Sequence, residues 1–405
     1  MPCDSPEPWG SIHQLPQQRD QHEPTRIRRV GLVSTYPPAL CGLATFTSAL
    51  ERELVRDGDL VEVVAIDDGS EHAPWRAGVH VLSNGVPASV AAACEVLSSC
   101  DVAIVQHEYG IYGGADGDEV LDLLRGIEVP TVVVLHTVPA EPTEHQRIVL
   151  ERVCELASRV VVMTNAAGER LLSGYDVDEA SLRVIPHGAT PPTPAPYGSI
   201  DRVTDRRPTM LTWGLLGPGK GIEHVIRAMS LLTNLRPAVQ YTVAGATHPK
   251  VFARDGDDYR RSLIRETWSA GVAASVHFDD TYRDVPDLMR LVASSTLVVL
   301  PYDSKDQATS GVLVDAIAAG RPVIATAFPH AVELLSSGAG IVVPHANPVA
   351  MASAIRSVVS DPAHLASLTA RAKALAPSLT WRAVAARYRD VFDELVPTGA
   401  GAHRS

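Results

Sequence analysis

The sequence predicts an α/β fold of two Rossmann-like domains, each built on a parallel sheet, which face each other across a cleft. Short apolar runs alternate with amphipathic segments along the chain, as in parallel strands covered by helices on both faces. A Pro-, Ser- and Thr-rich stretch without periodicity interrupts this alternation at residues 190–208. The length of 405 residues also exceeds what one ordinary core requires.

The first half contains six apolar runs with the length and composition of buried strands. Helical periodicity lies between them, as at residues 46–58 and 144–158. These patterns predict an N-terminal domain over residues 26–189, preceded by a polar, disordered tail at 1–25. The strand runs are VGLVST (30–35), LVEVVAI (60–66), DVAIVQ (101–106), TVVVLH (131–136), RVVVM (159–163) and LRVIP (182–186).

The alternation restarts after residues 190–208, which we interpret as an interdomain linker. Helical patterns again fill the gaps, as at 224–232 and 311–320. We predict a C-terminal domain over 209–378, a last helix at 379–397 and a tail at 398–405. The strand runs are TMLTW (209–213), VQYTVAG (239–245), SVHF (275–278), TLVVLP (296–301), PVIAT (322–326) and GIVVP (340–344).

Composition argues against several classes of function. A net charge of −12 disfavours sequence-independent nucleic-acid binding and long-range attraction to anionic membranes. No apolar run reaches the ~20 residues of a membrane span, and the first residues lack the apolar region of a signal peptide. The five cysteines are odd in number and show no C-x-x-C spacing, which predicts reduced thiols and a cytoplasmic location.

Glycine, charged and polar residues collect directly after the predicted strands. Ligands of open parallel sheets bind beyond the carboxyl ends of the strands, so these loops predict one ligand site in the cleft. The segments are YPPALCGLATF (36–46), HEYGIYGGADGD (107–118), HTVPAEP (136–142), GLLGPGKG (214–221), DDTYRD (279–284), YDSKDQATSG (302–311) and FPHAVE (328–333).

The stretch WGLLGPGKGI (213–222) matches G-x-x-x-x-G-K, the start of an ATPase phosphate loop, with Lys220 as its lysine. Gly221 stands where such a loop needs Ser or Thr to hold Mg²⁺, and Pro218 removes one N–H donor. The pattern therefore favours another anion, held by free N–H groups, a helix start and the Lys220 ammonium. A tight β–α turn with a solvated lysine is the alternative interpretation.

Thr309, Ser310 and Gly311 open a predicted helix, and Asp315 lies one turn further on roughly the same face. N–H groups and hydroxyls at this start would hold a phosphate, while the Asp315 carboxylate would accept ribose hydroxyls. Together they suit a nucleotide diphosphate. The alternative is that Ser310 only caps its helix and Asp315 is solvated.

These motifs together resemble glycosyltransferase family 4, which has the two-domain GT-B fold. The resemblance covers about residues 28–395, and VQHEYGIYGG (105–114) and DQATSGV (306–312) are most similar to the mannosyltransferase-like subgroup. The segments that carry it are the loop with Gly42, LHT (135–137), VIPHG (184–188), GLLGPGKG (214–221), SGVLVDAIAAGRPVIAT (310–326), PHAVELL (329–335) and GAGIVVPHANPVAMASAI (338–355).

The resemblance implies roles for the matching residues. Gly42 lets the first loop approach the donor diphosphate, Lys220 contacts that diphosphate, and His136 lies beside the transferred sugar. The resemblance also implies that the last helix crosses back onto the N-terminal domain. Glu108 and Tyr109 are candidate contacts of the acceptor or the sugar, although Glu108 could equally be a solvated loop carboxylate.

Three positions on the donor side depart from the pattern of the family. Gln307 and Asp315 occupy the places of a common Glu-x7-Glu, so only the second keeps a carboxylate. Gln307 can still bond sugar hydroxyls, but it carries no charge. Leu215 replaces the arginine of a common G-R-L motif, and Lys305 or an arginine of another loop would have to compensate.

We therefore predict a retaining glycosyltransferase that moves a hexose, with mannose as first candidate, from a nucleotide-diphosphate sugar to an acceptor hydroxyl. GDP-mannose is the first donor candidate and UDP-glucose the second, and the carbohydrate or small-molecule acceptor is not readable from the sequence. No cofactor or metal is expected, because D-x-D triplets at 116–118, 176–178 and 255–257 arise easily in an acidic chain. A nucleotide-sugar epimerase or hydrolase and a catalytically silent homologue are the alternatives.

Overall fold

The computed structural model describes residues 27–396 apart from 40, 68, 70–72, 193–206 and 282. The predicted tails at 1–25 and 398–405 and most of the predicted linker therefore lie outside the described residues. The remaining chain forms two parallel sheets with helices on both faces of each.

The described residues of the first domain form seven strands and five α-helices. All neighbouring strands are parallel, in the order β3-β2-β1-β4-β5-β6-β7. The strands are β1 (Arg29–Ser34), β2 (Leu60–Asp67), β3 (Val79–Ser83), β4 (Val102–His107), β5 (Thr131–Leu135), β6 (Arg159–Val162) and β7 (Leu182–Val184). The helices are α1 (Gly42–Arg56), α2 (Pro87–Ser98), α3 (Val120–Gly126), α4 (Glu144–Leu156) and α5 (Asn165–Gly174).

The second domain contains six parallel strands in the order β10-β9-β8-β11-β12-β13. The strands are β8 (Thr209–Trp213), β9 (Gln240–Ala244), β10 (Val276–Asp279), β11 (Leu297–Leu300), β12 (Val323–Thr326) and β13 (Gly340–Val343). The helices are α6 (Ile222–Ser230), α7 (Pro249–Asp255), α8 (Asp258–Ser269), α9 (Val285–Ser294), α10 (Gly311–Ala318), α11 (Pro329–Leu335), α12 (Pro348–Val359), α13 (Pro362–Leu375) and α14 (Trp381–Leu395).

The two-sheet architecture confirms the predicted fold, and each predicted strand is present with ends that differ by at most two residues. The prediction missed β3, which is the edge strand beside β2. Only Leu82 of this strand is buried, so the segment lacks the apolar run by which the other strands are recognised. None of the described helices is long and apolar enough to cross a membrane.

Alternating residues of the central strands feed two apolar clusters, one on each face of the first sheet. Val33 and Val105 pack on one face, while Leu32 and Ile104 pack on the other. This alternation explains why these strands read as continuous apolar runs, since both faces are buried.

The strand order reverses beside the first strand of each sheet, between β1 and β4 and between β8 and β11. Connections leave such neighbours in opposite directions, which opens a crevice at their carboxyl ends. The loops after β1 and β4 flank the first-domain crevice, and the loops after β8 and β11 flank the second-domain crevice. Side-chain caps fix three helix starts nearby: Cys41 for α1, Thr164 for α5 and Ser310 for α10.

The last helix, α14, follows the second domain in sequence but packs on the first. Its apolar residues Trp381, Val384 and Tyr388 lie in the same cluster as Val30 and Phe46 of the first domain. Ion pairs tie its polar face to that domain, including Arg389 with Asp59 and Glu394 with Arg159 and Arg183.

The chain therefore passes between the domains twice, and the two passages are joined to each other. The Ala189 N–H donates to the Leu379 carbonyl at 2.8 Å, and the Trp381 N–H donates to the Ala189 carbonyl at 3.1 Å. Residues 189 and 380 form a parallel bridge at this point.

Candidate active site

The glycine-rich loop after β8 packs against the segment that follows β11. Gly221 has φ 64° and starts α6, and a Cβ at this position would lie 1.9 Å from the Pro301 carbonyl oxygen. Only glycine fits this close approach. The Asp303 N–H donates to the Gly219 carbonyl at 3.0 Å, which fixes the loop against the segment after β11.

Lys220 is held in this loop as an unneutralised cation. Its Nζ lies 4.7 Å from the centre of the Tyr302 ring, and Tyr302 stacks on Phe328 with ring centres 5.3 Å apart. Burial lowers the pKa of Lys220, and no carboxylate pairs with it within the residues that the structure describes. An anion in the crevice would supply the missing partner.

Ser310 caps α10 and does not offer free groups to the cleft. Its hydroxyl accepts the Leu313 N–H at 3.3 Å, and its own N–H donates to His330 Nδ1 at 2.8 Å. The expected phosphate contacts of Ser310 are therefore already engaged within the protein. In the described chain the N–H groups of Gly311 and Val312 have no acceptor, so the donors that are available to a ligand lie one residue later.

Gly311 lies where the two domains meet. A Cβ at this position would be 2.9 Å from Nε2 of His187, which belongs to the VIPHG segment of the first domain. Next to it, the Thr164 hydroxyl donates to the Ala308 carbonyl at 3.0 Å, and Ala308 lies in the apolar core of the first domain. The loop that should hold the donor is thus braced by the opposite domain.

A second interdomain contact lies at the start of α5. The Glu333 carboxylate of α11 accepts the backbone N–H groups of Asn165 and Ala166 at 3.0 and 2.9 Å, together with the Asn165 side-chain amide at 2.9 Å. A carboxylate at a helix N-terminus is favoured by the helix dipole as well as by these bonds.

Gln307 and Thr309 form part of the same loop. The Gln307 Nε2 group donates to the Thr309 carbonyl at 3.1 Å, so the amide shapes the loop and leaves its Oε1 atom for other donors. Both residues are half-buried beside the start of α10.

Asp315 lies one turn into α10, and its carboxylate has no hydrogen bond or ion pair with any described residue. Burial raises the pKa of Asp315 to about 7. A half-buried carboxylate without a protein partner retains its full capacity to accept hydroxyl donors, as the predicted ribose contact requires.

His136 lies at the carboxyl end of β5 in the first domain. Its Nε2 is 2.5 Å from Gln106 Oε1, and its backbone N–H donates to the His107 carbonyl at 3.0 Å. Burial, with smaller contributions from His187 and His107, lowers the pKa of His136 to about 3. The imidazole is therefore neutral at physiological pH and can only offer or accept a hydrogen bond.

Glu108 and Tyr109 follow β4 but differ in availability. Glu108 accepts the Thr137 hydroxyl and the Tyr109 N–H, and burial raises the pKa of its carboxyl. The Tyr109 hydroxyl donates to the Gln146 carbonyl at 3.1 Å, and its ring contacts His107. The Tyr109 hydroxyl is thus already bonded to α4, while both residues stay candidate contacts of the acceptor or the sugar.

Gly42 is the first residue of α1 and is exposed beside the first-domain crevice. A Cβ there would meet no protein atom within 4 Å, so the fold itself gives no reason for glycine at this position. This agrees with a role in admitting a ligand. Cys41, the cap of α1, contacts the Thr35 hydroxyl at 3.1 Å through its Sγ.

The sequence interpretation missed a cation near the glycine loop. Arg260 of α8 donates from Nη2 to the Gly245 carbonyl, and a Cβ on Gly245 would lie 2.1 Å from the Gly214 carbonyl oxygen. Arg260 therefore lies near the loop where Leu215 leaves a charge missing. Nothing in the local sequence signals this, because α8 is brought there by the fold.

Among the described residues, one group of side chains could hold a metal ion: Glu223, His224 and Asp303, whose ligand atoms lie within 4.8 Å of one another. His224 Nε2 is already 3.1 Å from Asp303 Oδ1, and Glu223 accepts the Tyr259 hydroxyl at 3.0 Å. The group also lies at the start of α6, where the helix dipole disfavours a cation. His224 and Glu223 thus each already have a hydrogen-bond partner within the protein.

The fold and the site together define the class. The Anabaena protein HepE, solved with UDP, superposes with a TM-score of 0.70 at 19% identity over 91% of this chain and 100% of that one. Sucrose-phosphate synthase of Thermosynechococcus elongatus superposes with a TM-score of 0.67 at 18% identity. The superposition covers 91% of this chain and 99% of that one. The chain has the GT-B fold of glycosyltransferases.

Sequence comparisons match part of the chain to named glycosyltransferases. Residues 200–375 match the family described as "Glycosyl transferases group 1". The D-inositol 3-phosphate glycosyltransferase of Corynebacterium jeikeium is 27% identical over 304 residues, which cover 68% of this chain and 70% of that protein. The protein of that name from Rhodococcus opacus is 30% identical over 275 residues, which cover 62% of this chain and 59% of that protein. The second domain is therefore similar to the group 1 glycosyltransferases.

Proposed function

We propose that this protein is a retaining, metal-independent hexosyltransferase that uses a nucleotide-diphosphate sugar. The observation that carries the proposal is the Lys220 ammonium, which has no carboxylate partner among the described residues and lies in the crevice that also holds the free N–H groups of Gly311 and Val312. Such an arrangement binds the diphosphate leaving group and stabilises the charge that develops on it.

The donor lies mainly on the second domain. Lys220 and the start of α10 bind the diphosphate, and Asp315 accepts the ribose hydroxyls. Gln307 and Thr309 lie beside the same loop, and Gly42 admits the diphosphate from the first domain.

The acceptor lies against the first domain, where neutral His136 lies beside the transferred sugar and Glu108 contacts hydroxyl groups. The bond from the anomeric carbon to the diphosphate oxygen breaks, and the acceptor oxygen bonds to the same face of the sugar. The acceptor proton passes to the departing phosphate oxygen, so no protein nucleophile is required. The contacts between the domains orient the acceptor and exclude water.

Mannose from GDP-mannose and glucose from UDP-glucose are the two donor candidates. The solved complexes of HepE with UDP and with UDP-glucose support including the uridine nucleotides. The relatives named D-inositol 3-phosphate glycosyltransferase make D-inositol 3-phosphate the first acceptor to try, beside simple sugars. We place the reaction in the cytoplasm.

A two-stage experiment tests the proposal. A thermal-shift panel of UDP, GDP, UDP-glucose and GDP-mannose identifies the donor, and product analysis with that donor and an acceptor panel follows. A transferred hexose with retained anomeric configuration supports the proposal. Epimer or free sugar formed from the donor alone would instead indicate an epimerase or hydrolase, and binding without any turnover would indicate a silent homologue.

A further inference from the structure

His330 is a buried histidine of the second domain that the proposed mechanism does not use. It is the second residue of α11, and its side chain is only 4% exposed. Its Nδ1 accepts the Ser310 N–H at 2.8 Å, which links the start of α11 to the start of α10. This bond accounts for one of the two ring nitrogens.

The bond also fixes the position of the single ring proton. Burial, with the added effect of His187, lowers the pKa of His330 to about 3, so the ring is neutral in the working range of pH. Because Nδ1 accepts a hydrogen bond, the proton resides on Nε2. His330 therefore presents an N–H donor that does not change its state near neutrality.

No described residue accepts a hydrogen bond from Nε2, and this atom is not among those sealed from solvent. His187 of the first domain lies near the same ring, but its Nδ1 is 2.6 Å from the Gly188 carbonyl and no hydrogen bond joins the two rings. The Nε2 donor is therefore available to water or to an oxygen atom of a ligand.

The bond between His330 Nδ1 and the Ser310 N–H sets the position of the Nε2 donor. Ser310 directly precedes Gly311 and Val312, whose N–H groups are also without acceptors in the described structure. His330 thus adds a side-chain donor to a cluster of unpaired backbone donors at one helix start. All three are neutral donors suited to oxygen atoms of one ligand.

We propose that His330 binds the donor substrate directly, by donating from Nε2 to an oxygen of the sugar diphosphate, while Nδ1 holds the start of α10. This inference rests on the proposed function and assigns a specific contact within it. The oxygen belongs either to the diphosphate or to a hydroxyl of the sugar.

Two substitutions separate the two ring nitrogens. In His330→Asn the side-chain oxygen can replace Nδ1 and keep the Ser310 bond, but nothing replaces the Nε2 donor. In His330→Gln the amide reaches the position of Nε2, but the Nδ1 acceptor is lost. His364→Asn on α13 is the matched control, because this half-buried histidine lies outside the proposed site and its ring is bonded to the Ser357 carbonyl.

The affinity of each variant is measured by calorimetry with UDP, GDP, UDP-glucose and GDP-mannose, and its melting temperature by thermal unfolding. We expect His330→Asn to melt near the wild type and to lose about tenfold in affinity for the best nucleotide sugar, the loss typical of one hydrogen bond. His330→Gln should melt lower and retain more of that affinity. A loss for the nucleotide sugar alone assigns the contact to the sugar, and an equal loss for the nucleoside diphosphate assigns it to the diphosphate.

Unchanged affinity in His330→Asn, with impairment confined to His330→Gln, would overturn this inference and leave His330 a purely structural residue. That result is distinct from failure of the proposed function, in which the wild type itself binds none of the four nucleotides.

Discussion

The two crevices have the same topology but opposite chemistry. The second-domain crevice holds Lys220, two unpaired backbone N–H groups of α10 and the nearby guanidinium of Arg260. The first-domain crevice holds neutral His136 and the carboxylate of Glu108, and no lysine occurs before Lys220 in the chain. Identical strand reversals therefore carry donors and a cation on one side, and a neutral imidazole and a carboxylate on the other.

The fold therefore sets the place of each binding site, while a few loop residues determine its chemistry. Each crevice is where the strand order reverses, so both domains could in principle bind a charged ligand. Which crevice binds the charged ligand depends on which loop carries a cation without a carboxylate partner.

Lys220→Ala should produce the largest effect, a fall in kcat/KM of about 100-fold or more, as expected when a group that stabilises a leaving charge is removed. Transfer from the identified donor is the measurement, with exposed Lys250→Ala as control. The variant should melt no lower than the wild type, because burial already disfavours the ammonium. Near-normal turnover would remove the basis for placing the diphosphate in this crevice.

Asp315→Asn should raise the Kd of the nucleotide sugar by about tenfold and alter its pH dependence. Because burial raises the pKa of Asp315 to about 7, wild-type affinity should increase as pH rises through 7 and the carboxylate ionises. The variant should show no such increase. Calorimetry with the nucleotide sugar from pH 6 to 8 is the measurement, and parallel pH profiles for both proteins would contradict the ribose contact.

The same carboxyl group predicts an effect on the stability of the free protein. Ionisation is less favourable in the folded state than in the unfolded chain, whose pKa is about 4, so this group reduces stability as pH rises from about 4 to about 7. Asp315→Asn should therefore melt higher than the wild type at pH 8, by about 2–4 °C for each ~1 kcal/mol recovered. Equal melting temperatures at pH 8 would argue against a costly buried carboxylate.

Glu333→Gln should have a smaller effect, a decrease in kcat/KM of about three- to tenfold. Glutamine keeps an acceptor but loses the charge that favours the start of α5, so the domains are held together less firmly. Kinetics and small-angle scattering with bound donor measure this, and exposed Glu169→Gln on the same helix is the control. Unchanged kinetics and an unchanged radius of gyration would show that this contact does not contribute to closure.

Chelation should have the smallest effect. In the proposed mechanism the Lys220 cation and the helix start take the place of a metal at the leaving group, so EDTA should leave transfer unchanged. Activity that disappears with EDTA and returns with Mg²⁺ or Mn²⁺ would refute the metal-independent mechanism and direct attention to Glu223, His224 and Asp303.

The local sequence pattern was sufficient to predict most strands of the two sheets, because strands that are buried on both faces consist of continuous apolar runs. It failed for β3, whose exposed side chains are set by its place at the edge of the sheet. The positions of Lys220 and Asp315 were also predictable, since each follows from its offset within one loop or helix.

Contacts between distant segments could not be predicted. The Ser310 N–H is taken by His330 from the next helix, and the Tyr109 hydroxyl by Gln146 of α4. Gly311 is glycine beside His187 of the other domain, and Arg260 approaches the glycine loop from α8. In each case the two partners are far apart in the sequence, and only the folded chain brings them together.

The paired passages at Ala189 and Thr380 have a mechanical consequence. Hydrogen bonds of Ala189 with Leu379 and Trp381 tie the end of the first domain to the start of α14. Because α14 packs and forms ion pairs on the first domain, this point stays with that domain. We therefore expect the second domain, when it moves relative to the first, to pivot near this point, with Gly311 moving relative to His187.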